Sequence, residues 1–207
     1  GAVKSLAEDA DGNIWIGADQ DLLIVRQGGL RKLPAWNRAS EIRVIYRDPM
    51  GHMWVGTNGD GLFEFANANS NAKHYGTQEG LAGDQVRAIL CDRSGALWIS
   101  TLSQGISKYS NGRFVTYTTK EGLANNRVTA SYEDDEGALW FATRGGLSRF
   151  KDGKFFTYTT ESGMPVNLVY SMLDDERGNF WFSCAQGLFR LSKAELKDLA
   201  DGRISRL

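Results

Sequence analysis

Val86-Arg87-Ala88-Ile89-Leu90-Cys91-Asp92-Arg93-Ser94-Gly95-Ala96-Leu97-Trp98-Ile99-Ser100-Thr101 is answered further along by Val128-Thr129-Ala130-Ser131-Tyr132-Glu133-Asp134-Asp135-Glu136-Gly137-Ala138-Leu139-Trp140-Phe141-Ala142-Thr143. The two stretches align without a gap and share the frame Asp-x-x-Gly-x-x-Trp. That frame recurs along the whole chain. Its tryptophans are Trp15, Trp54, Trp98, Trp140 and Trp181, which stand 39, 44, 42 and 41 residues apart. Trp36 falls outside the series.

A period of about 40–45 residues with one Trp per unit is that of four-stranded β-propeller blades. Each part of the unit has a physical task. Asp9, Asp48, Asp92, Asp134 and Asp175 each precede a Gly (Gly12, Gly51, Gly95, Gly137, Gly178) by three positions. Asp first and Gly fourth is a type I turn signature, the carboxylate taking a backbone N–H and the Gly a left-handed conformation. The Trp lies on the second strand, where it fills the space between blades.

Gly61, Gly105, Gly146 and Gly187 then separate the second strand from the third, with Asp21 expected in that role in the first copy. Asn111-Gly112 and Asp152-Gly153 are hairpin dipeptides, leading into an outer strand. A connection containing Glu79, Glu121 or Glu161 returns to the next copy, and a repeated local job for these acids is favoured over a catalytic carboxylate pair. The tail Ser192–Gly202 has a Ser cap, Glu195 three residues on and a terminal Gly. It predicts a short helix before a last strand at Ile204–Leu207.

The expected fold is therefore all-β: five four-stranded antiparallel blades, at about 1–41, 42–85, 86–127, 128–167 and 168–207, with a short helix near the end. The 207 residues read as a single propeller segment, part of a larger ring, with a blade face left open at either end.

Composition excludes several partners. Lys plus Arg number 24 against 25 Asp plus Glu, so no basic field invites nucleic acid. No apolar run approaches the roughly 18 residues that span a bilayer, and Gly1-Ala2-Val3 does not read as a secretory leader. Cys91 and Cys184 have no ligand-spaced partners and read as small buried residues. Asp9-Ala10-Asp11-Gly12-Asn13 lacks the acid a calcium loop needs at its twelfth place, which is Gln20. No cofactor or metal is expected. His52, in a turn, and His74, at the start of an outer strand, sit in no nucleophile or phosphate motif.

These repeats resemble the two-component regulator propeller repeat over essentially the whole chain. The resemblance implies a periplasmic sensor module, placed in larger proteins before an immunoglobulin-like domain, a membrane helix and a kinase or diguanylate cyclase output. Oligosaccharides are the ligands it implies, and the segment itself is expected to be no enzyme.

On a propeller the ligand face is built by the loops between second and third strands and those entering the next blade. They carry Asn58, Asp60, Gln104, Arg144 and Gln186 in the first set, and Gln85, Arg127 and Asn167 in the second. Forked polar groups suit sugar hydroxyls, and Tyr170 or Tyr132 could stack on a pyranose. The plain alternative is that these residues cap strands in solvent. A streptogramin-lyase-type propeller and a protein-interaction scaffold stand as rival functions. Self-association, or union with further blades, is the expected protein contact.

Overall fold

The computed structural model describes residues 2–33, 36–37 and 40–207; Gly1 lies outside them. They divide into two compact units, Gly1–Thr116 and Tyr117–Leu207.

The first unit holds three sheets. Blade 1 is β1 (Val3–Glu8), β2 (Ile14–Ala18), β3 (Asp21–Arg26) and β4 (Gly29–Lys32). Blade 2 is β5 (Ile42–Arg47), β6 (Met53–Thr57), β7 (Leu62–Phe65) and β8 (Lys73–Tyr75). Blade 3 is β9 (Val86–Cys91), β10 (Leu97–Thr101), β11 (Ile106–Ser110) and β12 (Arg113–Tyr117). In the second unit, blade 4 comprises β13 (Val128–Glu133), β14 (Leu139–Thr143), β15 (Gly146–Lys151) and β16 (Lys154–Tyr158). Blade 5 comprises β17 (Ser171–Asp174), β18 (Asn179–Cys184) and β19 (Gly187–Ser192), followed by α1 (Lys193–Ala200). Neighbours in each sheet are neighbours in sequence and run antiparallel.

One device repeats in all five blades. The Oδ1 of the turn Asp accepts two backbone N–H groups, from Asp11 and Asn13 in blade 1 and from Glu136 and Ala138 in blade 4. Its Oδ2 accepts the Trp indole N–H six residues on, at 2.8, 2.9, 2.7, 2.7 and 3.2 Å from blade 1 to blade 5. A buried indole N–H needs such a partner. The Asp therefore closes the hairpin and orients the ring together, and Asp9 is a turn residue with its carboxylate fully engaged. Burial works against its charge, yet the bonds from Trp15 and Asn13 hold its carboxyl below the ordinary value.

Within each unit the cores lie between blades. Trp15 meets Phe65 of blade 2 edge-on at 5.3 Å, and Trp54 meets Tyr109 of blade 3 at 5.9 Å. Trp140 stacks on Tyr158 and meets Phe180 of blade 5. Trp36, outside the repeat, donates to the Gln20 carbonyl and packs on Phe63.

Several expectations are corrected. Blade 5 has three strands among the described residues, with α1 standing where an outer strand would begin. Ser192 caps α1 as read, its hydroxyl accepting from the Glu195 N–H. Ile204–Leu207 is no strand. Its apolar side chains instead pack onto the blade 4–5 core, and the Leu207 N–H donates to the Ser162 carbonyl. In blade 1 the left-handed residue is Asp19, not Asp21. The cause is a two-residue turn, Ala18 pairing directly with Asp21. Cys91 and Cys184 are half-buried rather than buried.

The connecting acids do share a local job, with one change of residue. Glu79 accepts from the Gly76 N–H and Glu121 from the Thr118 N–H. In the third copy Ser162, not Glu161, takes that place, its hydroxyl accepting from the Thr159 N–H.

Candidate functional site

The strands that open blades 1 to 4 share an irregularity that the sequence did not announce. In β1 the pairing with β2 passes from Val3 to Ser5, and in β5 the pairing with β6 passes from Ile42 to Val44. β9 passes from Val86 to Ala88 and β13 from Val128 to Ala130. Each skip is a β-bulge, which leaves one residue out of the ladder and re-aims its side chain. The residues so placed are Lys4, Arg43, Arg87 and Thr129. Tyr170 holds the corresponding position in blade 5, one residue before β17.

In the first unit this row meets the loops that the sequence singled out. Arg87 donates to Asn58 Oδ1 at 3.3 Å. The Asn58 backbone donates to the Glu41 carbonyl at 2.8 Å, and Asn58 bridges to Gln85. The Glu41 carboxylate receives Arg43 at 2.8 Å and Lys4 at 3.5 Å. Arg43 Nε is buried and makes no hydrogen bond. Two cations, Lys4 and Arg43, thus share the Glu41 carboxylate, and Arg87 stands on Asn58 beside them, an arrangement suited to a ligand with anionic or forked oxygen groups.

Two grooves adjoin this cluster. Gln85 and Gln104 line a polar groove of about 320 Å³ with Asp84 and Thr101. Asp60 lies in the next, of about 330 Å³, with His74, Glu79 and Asp84. The acids there are engaged with backbone: Glu79 with Gly76, Asp84 with Thr77, and Asp60 with Ser40. His74 Nε2 lies 2.8 Å from the Asp60 carbonyl, so that nitrogen carries the proton. The loops themselves are held by a repeated Thr. Thr57 and Thr101 each donate their hydroxyl to the following Gly carbonyl and accept the N–H of Asp60 or Gln104. Asp60 and Gln104 are therefore set by the loop rather than free to swing.

In the second unit Arg127 and Arg144 are adjacent, the Arg144 N–H donating to the Arg127 carbonyl at 3.1 Å. Both side chains are exposed, as is Gln186 in the Cys184–Gly187 turn. Asn167 is positioned otherwise than expected. Its side chain accepts the Thr160 N–H at 2.7 Å, as Asn126 accepts from Thr119 and Asp84 from Thr77. Asn167 is thus the loop-holding counterpart of Asp84, and the place of Gln85 and Arg127 belongs in that copy to Leu168. Tyr132 is near the turn end of its strand, where it donates to Asp174 Oδ2. Burial and that carboxylate push its hydroxyl up to about 12, and it does not share a site with the loops. Tyr170 is exposed and, with no bulge in its blade, only matches the bulged residues by repeat position.

Sequence reading missed Lys4, Arg43 and Arg87. A signal for them exists: each directly follows the Val or Ile that begins the first strand of its copy.

Four segments of the chain, residues 1–20, 38–59, 80–103 and 122–145, match the sequence profile of the two component regulator propeller. No curated protein matches the chain in sequence. Among solved structures, one similar fold is the extracellular domain of a B. thetaiotaomicron protein described as a hybrid two component system, BT3049. It aligns at TM-score 0.79 and 23% identity over 93% of this chain and 29% of that one. A second, from the same organism, is the extracellular domain of BT4673, described as a one component system. It aligns at TM-score 0.73 and 19% identity over 92% of this chain and 28% of that one. Virginiamycin B lyase from Staphylococcus aureus shares the fold at TM-score 0.70 and 13% identity, over 92% of this chain and 69% of that one. The chain thus spans less than a third of the length of the first two.

Proposed function

Because this chain belongs to the two component regulator propeller family, we propose that it is the ligand-reading part of a periplasmic sensor. It would bind an oligosaccharide at the loop end of its first strands and relay that binding to an output domain of the receptor. The observation that carries this reading is the bulge repeated in blades 1 to 4. Each bulge gives up a ladder position to turn one side chain out of the sheet, and such sacrifices gather at binding sites.

Around blades 1 to 3 the side chains so released are Lys4, Arg43 and Arg87, with Glu41 pairing the first two and Asn58 accepting from the third. Asn58 and Gln85 add amide donors and acceptors for hydroxyl groups. A guanidinium pairs with a planar carboxylate through two bonds at once. The cluster therefore favours sugars bearing carboxylate or sulfate over neutral ones, and binding weakens as salt rises.

A thermal-shift screen with neutral and acidic oligosaccharides tests this. A ligand specific for the folded state adds about 2.7 kcal/mol at a hundredfold excess over its dissociation constant. The expected result is a shift with an acidic sugar that Arg87→Ala and Arg43→Ala abolish. A shift that both variants retain would move the site elsewhere, and no shift with any sugar would set the reading aside.

A further inference from the structure

Sheet register sets one third-strand residue beside each marker Trp: Ile24, Glu64, Lys108, Arg149 and Arg190. The last three are cations, and each lies over its Trp ring, at 5.1 Å for Lys108, 5.7 Å for Arg149 and 5.8 Å for Arg190. Lys108 is half-buried and Arg190 exposed, whereas Arg149 is buried, with 9% of its surface left to solvent. Its Nε is fully covered and makes no hydrogen bond. A guanidinium stays charged in a protein interior, and a charge taken out of water needs hydrogen-bonded partners. The face of Trp140 attracts the cation but offers its N–H groups no acceptor.

The neighbouring groups are committed elsewhere. Arg149 lines two adjoining clefts of the second unit, of about 350 and 410 Å³, at the end of blade 4 away from its bulge. Glu136 lines both, but its carboxylate receives Lys197 at 2.6 Å and Lys151 at 3.2 Å. The Asp134 carboxylate accepts two backbone N–H groups and the Trp140 indole N–H. Lys193, at the start of α1, is paired with Asp174 at 2.7 Å. In the first cleft Asp134, Asp135 and Glu136 stand against Arg149, Lys193 and Lys197. That balance leaves no surplus of positive charge to hold a dianion. A single negative charge suits it, placed on the guanidinium whose Nε lacks an acceptor.

We propose that Arg149 binds the carboxylate of a small organic monoanion in the first cleft. The two oxygens of a planar carboxylate match two N–H groups along one edge of a guanidinium. The Trp140 ring backs that guanidinium, and a cleft of about 350 Å³ has the size of a small-molecule site. The site stands at the other end of the strands from the bulge row and does not rest on the sugar reading.

Titration of the isotopically labelled chain tests this, followed at the Arg149 Nε–H and Trp140 indole N–H signals. The probes are sodium propionate, its neutral counterpart propionamide, and inorganic phosphate above its second pKa, all at one ionic strength. Arg149→Lys identifies the Nε–H signal by its loss. Propionate is expected to shift both signals along one saturating curve, and the other two probes to shift neither. Read at the Trp140 indole, Arg149→Lys weakens propionate about tenfold, because the charge is kept and the fork is lost. No saturable shift with propionate would overturn the proposal, as would an equal response to propionamide or phosphate, or undiminished binding by Arg149→Lys. So would an Arg149 signal that Glu136→Gln displaces and propionate leaves in place, since Glu136 would then be its partner in solution.

Discussion

Trp140 and Trp181 hold the same place in blades 4 and 5, each tied to its turn Asp, yet they live in different surroundings. Trp140 is buried, stacked on Tyr158 at 5.7 Å and met edge-on by Phe180 at 5.1 Å. Trp181 is held by Asp175 and faced by Arg190 at 5.8 Å, with its outward side uncovered. The motif builds the hairpin in both places, while the neighbouring blade supplies most of the stabilisation. A repeat thus encodes half of each interface and depends on its neighbour for the remainder.

The sharpest way to break this comparison is to remove both rings. Trp140→Ala empties a filled core and is expected to cost about 3–5 kcal/mol. Trp181→Ala, losing a ring already partly in water, is expected to cost about 1 kcal/mol. Equal losses in denaturant melts would show that burial is not what separates the two blades.

Next in size is the clamp. Asp134→Ala strands the buried Trp140 indole N–H and two backbone N–H groups. A buried polar group left unpaired costs about 1–3 kcal/mol, so a loss of about 2–3 kcal/mol is expected. Asp175→Ala, made where water can replace the carboxylate, is expected to lower the melting temperature by clearly less.

A third contrast uses the loop hydroxyl. Thr143 donates to the Gly146 carbonyl and accepts the Gly145 N–H, whereas blade 5 has Cys184 at that place. Thr143→Val should cost about 1–2 kcal/mol, and Cys184→Thr should raise stability slightly. A neutral Thr143→Val would remove the hydroxyl from the account of the loop.

The smallest effect concerns Glu136. Hydrogen bonds from Lys197 and Lys151 hold its carboxyl at about 2. A carboxyl depressed by folding contributes above its unfolded value and loses that contribution as pH falls towards 2. The group is at the surface, so Glu136→Gln is expected to cost well under about 1 kcal/mol at neutral pH, and nothing below pH 2. A constant difference across the acid range would rule out the ion pairs as its origin.

The blade architecture was legible because its signals are local. Asp, Gly and Trp at fixed offsets write the first hairpin, and Asn111-Gly112 and Asp152-Gly153 write the next, all four residues adopting positive φ. The clamp between Asp and Trp needed three dimensions to see, since sequence spacing alone does not aim an indole. Asn167 was misassigned because Pro165 and Val166 blur the offset by which Asp84 and Asn126 are matched to it. The bulge row escaped because a bulge changes pairing without demanding a particular residue. Ile204–Leu207 reads as a strand by composition, but its apolar side chains found a better surface on the core than at a sheet edge.

The most direct test of the account maps an acidic oligosaccharide onto the amide spectrum of the isotopically labelled chain. The bulge row predicts shifts at Arg43, Asn58, Gln85 and Arg87 that saturate together, and none at the Asp175 turn. Saturable shifts at that turn or around Trp181, with the row unmoved, would contradict it.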